Sequence, residues 1–422
     1  MTDLTLLAAD GTTRTVPLQP APTWTKPDGL LTERVVYAAA HVVPRGGSET
    51  TPGAPADLDW DSTLAFRHHL WSWGLGVADA MDTAQRNMGL DPAATRELVT
   101  RSAAEAAGVG GRIVVGVNTD DLPSEDASLD AIVDAYVRQL HHAEDAGAGV
   151  VLMASRHLAR AASGPDDYRS VYERVIARAG APVVLHWLGA AFDPALADFF
   201  GDERSAPETV LAVMRDAGER VSGIKMSLLD ASAEVALRAR LPEGTRMYTG
   251  DDFHYVDLIA GDGDAHSDAL LGAFAAVGPA ASAAIRALPD ETAFRAVLGP
   301  TEALARHVFS APTWFYKTGI AFLSWLNGHQ PSPAMVGGLH AGRSLPHLSE
   351  TVRLANDCGA LEQPELAARR WHALLAVHGV DRHVTSVGGA QPAGRPGSAG
   401  DVAPAGRLGS AADVAPVPES VA

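Results

Sequence analysis

The stretch VSGIKMS (221–227) sets a lysine inside an apolar run bounded by Val221, Ile224 and Met226. Short runs of this kind, without alternation of polarity, read as parallel strands buried on both faces. Working outward, similar runs occur at 35–40, 74–79, 112–117, 149–154, 182–187, 245–249 and 269–275. Between them lie stretches with helical spacing, clearest at 59–73, 92–107, 128–146 and 166–179, the first three starting near Asp or Ser caps. Eight β-then-α units in about 250 residues is the arithmetic of a (β/α)8 TIM barrel. A doubly wound open sheet is the competitor, but no GxGxxG follows an early strand. The barrel is expected over 34–289.

After residue 290 the strand signal stops. Helical patterns at 301–326, 345–357 and 364–377 predict an all-α C-terminal extension over 290–387. Residues 1–33 carry Pro17, Pro20, Pro22 and Pro27 and read as a short β-rich or irregular arm. At the other end PAGRPGSAGDVA (392–403) is followed by PAGRLGSAADVA (404–415). Such a tract, without aromatic residues, buries too little surface to offset its ordering entropy, so 388–422 is expected to be a disordered tail.

Composition narrows the class of protein. The 422 residues carry 33 basic and 51 acidic side chains, a net charge of −18. That balance argues against nucleic acid as a partner, because phosphate binding needs clustered Lys and Arg. With 46% hydrophobic and 20% charged residues, a large core is available and full disorder is excluded. A single cysteine, Cys358, excludes a disulfide framework and a Cys-rich metal site. No run of 18 apolar residues is present, so no membrane span is expected. The N-terminus lacks a basic start and a continuous apolar segment, and a cytoplasmic location is expected. Only three lysines occur: Lys26, Lys225 and Lys317.

In a barrel of this kind the active site lies where the strands end. The polar residues there are His41, then Asp79, Asp82 and Thr83 with Gln85 and Arg86, then Asn118, Thr119, Asp120 and Asp121. Ser155, Arg156 and His157 follow the fourth run, and His186 and Trp187 close the fifth. The sixth carries Lys225 and Ser227, and the seventh runs into Asp251, Asp252 and His254. Burial disfavours a charged lysine, and a desolvated amine is the nucleophile that condenses with a ketone. Paired or snorkelling lysine is the structural alternative. Alternation turns Gly223 and Ser227 to the same side as Lys225, with Ile224 and Met226 facing the helices, and Gly223 is expected to leave room for a substrate.

The order of GVNTDD (116–121), PVVLHW (182–187), SGIKMS (222–227) and YTGDD (248–252) resembles the dihydrodipicolinate synthase / N-acetylneuraminate lyase family. The resemblance spans roughly 34–380 and implies Schiff-base aldolases on a barrel with a C-terminal helical bundle. Gly223, Ile224, Lys225, Met226 and Ser227 match the family's G-[IV]-K-x-[ST] motif throughout, which implies an imine on Lys225. The helix in FYKTGIAFLSWLNG (315–328) is similar to one in the family's bundle and implies a structural role for Lys317. Two departures stand out. Where the family has a G-T-T-G-E-like loop, this chain has Asp79-Ala-Met-Asp82-Thr83-Ala-Gln85-Arg86, which puts a pyruvate-type carboxylate site in doubt. Where it has Y-N-x-P with a proton-relay tyrosine, this chain has His186-Trp187-Leu188-Gly189. His186 takes that tyrosine's position, and because histidine shuttles protons near neutral pH the resemblance implies the relay role for it.

The expectation is therefore a Schiff-base lyase or aldolase acting on a small-molecule carbonyl substrate, a keto acid or keto-sugar derivative. Lys225 and His186 are its expected catalytic residues, with Asp82, Thr83, Asn118, Ser227, Asp251 and Asp252 binding substrate. For Asp251 and Asp252 a helix cap is the competing role, and for Asn118 and Thr119 turn formation. The chemistry calls for no metal and no organic cofactor, and a homo-oligomer is compatible with it. Two alternatives remain open. A metal-dependent sugar isomerase or epimerase would use His41, Asp79, Asp82, His186 and Asp251 around a divalent ion. A catalytically silent ligand-binding barrel is the other.

Overall fold

The computed structural model describes residues 3–263 and 265–380. Its first element is a hairpin of β1 (Asp3–Leu7) and β2 (Thr13–Pro17), paired antiparallel. Leu4 and Leu6 alternate inward on β1, the period-2 burial that a half-covered strand shows. Their cover is the C-terminal helices described below.

The eight apolar runs are eight parallel strands: β3 (Val36–Ala39), β4 (Gly76–Asp79), β5 (Ile113–Val117), β6 (Gly149–Leu152), β7 (Val183–Leu188), β8 (Val221–Ser227), β9 (Arg246–Thr249) and β10 (Asp268–Leu271). They pair in sequence order, and β10 returns to β3 to close a barrel. Helices cover it outside: α1 (Trp60–Ser72), α2 (Pro92–Val109), α3 (Leu129–Asp145), α4 (Arg156–Ala161), α5 (Pro165–Ile176), α6 (Ser205–Ala217), α7 (Ala231–Arg238), α8 (Tyr255–Ala260) and α9 (Gly278–Ala287). Asp59, Asp91 and Ser128 cap α1, α2 and α3 by accepting from backbone N–H groups of the first turn. The fold is a (β/α)8 barrel with further helices after it.

Side chains alternate across the barrel wall. Tyr37, Val114, Val151, Val184, Tyr248 and Leu270 pack inside, while Ile224 and Met226 pack outward under the helices. Parallel pairing sets His186 beside Lys225 and Leu188 beside Ser227, with Lys225 beside Tyr248 on the other side. Gly223 does not leave room for a substrate. A Cβ there would lie 2.6 Å from the Arg246 carbonyl and 3.0 Å from the Tyr248 ring, so Tyr248 already fills that space.

The extension comprises α10 (Glu291–Val308), α11 (Tyr316–Leu326), α12 (Leu345–Asp357) and α13 (Pro364–Val377). The single helix expected over 301–326 is in fact two. Asp290 caps α10, which runs through Pro300 and ends before Phe309. Pro312 then bars continuation, since it has no N–H to donate. The N-terminal hairpin docks on this extension: Thr5 N donates to His372 Nε2 (3.1 Å), Trp371 Nε1 to Thr5 O (2.7 Å) and Leu7 N to Ser349 Oγ (2.7 Å). Among the described residues no helix is long and apolar enough to cross a membrane. The tail expected at 388–422 lies outside the described residues.

Candidate active site

Lys225 stands near the C-terminal end of β8, 8% exposed. Burial pushes its ammonium below the usual lysine range, against the pull of the Asp82 and Asp252 carboxylates. Among the described residues its Nζ has no hydrogen-bond or ion-pair partner. The side chain crosses Gly250: a Cβ on that glycine would sit 2.8 Å from Lys225 Cε and 2.1 Å from Ser227 Oγ. Gly250 thus makes room for the Lys225 and Ser227 side chains themselves, not for a substrate.

The amine borders a narrow cleft whose other polar walls are Asp82, Thr83, Ser227, Asp252 and Tyr316. Aromatic rings close the rest. Phe309 stacks on Tyr316 at 4.3 Å between centroids, and Phe192 meets both edge-on. Tyr316 Oη lies 2.8 Å from Thr83 Oγ1, joining the loop after β4 to the first turn of α11. Burial holds the Tyr316 phenol well above its usual range, so it is a neutral hydrogen-bonding group. Sequence reading missed Tyr316, Phe309 and Phe192. The FYK segment was noted for its lysine, and nothing local marks the tyrosine beside it as facing a barrel mouth.

Of the paired carboxylates, one enters the cleft and one does not. Asp252 lines it, and Asp252 Oδ1 accepts from Ala273 N (2.8 Å). Burial pushes the Asp252 carboxyl up to about 8. Asp251 instead accepts from Phe253 N (2.8 Å) and His254 N (3.2 Å), and its other oxygen lies 2.9 Å from His254 Nδ1. It braces the turn entering α8.

His186 is fully buried behind Ser227, with Nε2 3.3 Å from Ser227 Oγ. Burial and the nearby Lys225 charge hold it well below the ordinary imidazole range, so it is neutral. It reaches the cleft through Ser227 and is not part of the lining. Asn118 is also outside: Asn118 Oδ1 accepts from Thr119 N (2.7 Å), and its own N–H donates to Gln139. The turn-forming role describes it.

The residues named for a catalytic metal do not converge. Asp79 forms a two-pronged ion pair with Arg67 (2.7 and 2.8 Å), both fully buried. His41 Nε2 is 2.7 Å from Gln330 Oε1. Asp251 and His186 have the partners given above, and only Asp82 borders the cleft. Arg86 is equally committed, bonding Asp120, Gln139 and the carbonyls of Ala80 and Gly116. Lys317, lowered by burial to about 8, donates to Trp314 O (3.1 Å) and lies over the Tyr316 ring.

Solved structures similar to this one include dihydrodipicolinate synthases. The 4-hydroxy-tetrahydrodipicolinate synthase of Methylacidiphilum fumariolicum superposes with a TM-score of 0.57 at 16% identity, covering 79% of this chain and 99% of that one. The dihydrodipicolinate synthase of Bacteroides thetaiotaomicron gives 0.56 at 15%, covering 74% and 97%. That of Aquifex aeolicus gives 0.55 at 13%, covering 82% and 98%. At the level of fold, the resemblance drawn from the strand-end motifs is borne out. No curated protein matches the chain. The model of one protein family, described as "Protein of unknown function (DUF993)", matches residues 4–380, and the chain belongs to that family.

Proposed function

We propose that the protein is a Schiff-base-forming lyase or aldolase that binds its carbonyl substrate covalently through Lys225. The observation that carries this reading is an unpaired, desolvated amine facing a cleft beside a carboxyl raised to about 8. An imine needs both parts: a free amine to attack, and an acid to protonate the departing oxygen. Lys225 adds to the carbonyl carbon, giving a carbinolamine. Asp252 protonates its hydroxyl, water leaves, and the products are an iminium and the Asp252 carboxylate. The new ion pair stabilises the iminium in a poorly solvated site.

The iminium then withdraws electrons from an adjacent bond. With a β-hydroxyl on the substrate, Asp252 takes the hydroxyl proton as the Cα–Cβ bond breaks, leaving an aldehyde and an enamine on Lys225. Returning that proton to carbon and adding water releases the ketone. Ser227, braced from behind by His186, and the Thr83–Tyr316 pair position substrate oxygens; His186 acts through Ser227. Lys225 is the sole cationic side chain lining the cleft among the described residues, and imine formation uses it. A hydroxylated ketone therefore suits this lining better than a keto acid, whose carboxylate would face Asp82 and Asp252.

Borohydride reduction with a panel of hydroxyketones and keto acids tests the proposal. One adduct per chain is expected, on the peptide containing Lys225 and not on Lys317, whose amine is bonded to Trp314 O. Lys225→Arg cannot form the imine, because guanidinium stays protonated, and is expected to lose labelling and turnover together. Full turnover in Lys225→Arg would end the imine mechanism.

A further inference from the structure

Away from the cleft, three ligand-type side chains converge from three separate elements. His69 stands in the last turn of α1, His329 in the turn after α11, and Glu362 between α12 and α13. Glu362 Oε1 lies 3.4 Å from His69 Nε2 and 2.9 Å from His329 Nε2. All three donor atoms fall within 4.8 Å of one another, the only such group among the described residues. A zinc ion with bonds of about 2.0–2.2 Å holds tetrahedral donors roughly 3.3 Å apart. These atoms stand close to that spacing already.

We infer that His69, His329 and Glu362 bind one divalent transition-metal ion of the zinc class, clamping the first outer helix of the barrel to the helical extension. Two imidazole nitrogens and one carboxylate oxygen form a borderline donor set, which suits zinc better than the all-oxygen shells of calcium and magnesium. The set is held in place before any ion arrives. Glu362 N donates to Asn327 Oδ1 (2.9 Å), Asn327 Nδ2 donates to Ala360 O (2.8 Å), and Gln363 Nε2 donates to Asn327 O (3.0 Å). Asn327 thereby ties the turn that carries Glu362 to the turn that carries His329. The backbone N–H of His329 donates to Ser324 O at 3.0 Å.

The surroundings suit a partly shielded ion. The ligand side chains are 16%, 16% and 24% exposed. The buried Phe66 ring stacks near His69 and meets His329 edge-on at 5.5 Å, which closes one side. Glu362 also borders a surface cleft lined by Trp24 and Trp73. That side leaves a path for the ion and a place for water as fourth ligand. The ion's work is structural, and the imine chemistry above does not draw on it.

The rival occupant is protons alone, with both imidazoles donating to one carboxylate oxygen. Full-length protein stripped with a chelator separates the two on titration with zinc chloride. One equivalent is expected to bind tightly, with a rise of several degrees in melting temperature and, for Co²⁺, the intense visible bands of a four-coordinate site. His329→Ala and Glu362→Gln are each expected to weaken binding by more than about 100-fold. His69→Gln retains a side-chain donor towards Glu362 and provides a variant whose metal-free melting temperature reports on folding alone. No bound equivalent, or undiminished binding in these variants, would overturn the site. A melting temperature indifferent to zinc would leave the hydrogen-bonded cluster as its occupant.

Discussion

Lys225 and Asp252 sit where charge is poorly solvated, and burial drives them in opposite directions, the amine downward and the carboxyl up to about 8. Both shifts move the pair toward its neutral form. An acid with a raised pKa keeps its proton through neutrality and gives it up only as the pH climbs past that value. Turnover limited by proton donation is therefore expected to fall as the pH rises through about 8. Asp252→Asn cannot donate and should lose roughly 10²–10⁴-fold in kcat, with the alkaline limb gone from what remains. An unchanged limb in kcat/KM for that variant would reassign the acid. At this scale the sequence was informative about Lys225, because a lysine inside an apolar strand is rare. It was silent on which of Asp251 and Asp252 enters the cleft. Neighbouring side chains diverge, and the choice depends on Ala273 N and on the turn at Phe253, contacts that no local pattern records. Tyr316 was equally illegible, since its partner Thr83 is 233 residues away.

Among the elements, all eight strands were legible because burial on both faces leaves an unbroken apolar run. The stretch 301–326 was not, because its apolar pattern continues across Pro312 while the hydrogen bonding cannot. Asp79 shows the same limit from the other side. As a carboxylate at a strand end it read as a ligand, yet it locks elements together. Arg67, on α1, bonds Asp79 at the end of β4 and also donates to His41 O beyond β3 and to Thr63 O. Removing one member strands the other charge in the core, so Asp79→Ala is expected to cost about 3–5 kcal/mol in urea unfolding. Pairing Arg67→Met with Asp79→Leu should recover most of that. A single variant as stable as the parent would show that the pair is dispensable.

For the whole molecule, the cleft belongs to barrel and extension together. Lys225 and Ser227 come from the end of β8 and Asp252 from the loop after β9, while Phe309 follows α10 and Tyr316 opens α11. The order of units was readable from one end of the chain to the other; the seating of the helices over the barrel mouth was not, since it depends on long-range contacts. The described body ends just beyond α13. A chain stopped after Gly388 is expected to keep its melting temperature, because the Gly/Pro/Ala/Ser-rich sequence it loses carries no aromatic residue. A drop of several degrees on differential scanning would show that this sequence docks.

The docking of the N-terminal hairpin carries a consequence for how the chain is made. Thr5 is bonded to Trp371 and His372, residues 366 and 367 positions later. β1 and β2 thus find their partners only when α13 is translated. At about 5–20 residues per second, the wait is roughly 20–70 s. Through that interval Leu4 and Leu6, buried in the finished fold, remain without their cover, and nascent chains stalled before residue 371 should expose the hairpin to protease while the barrel behind it already resists.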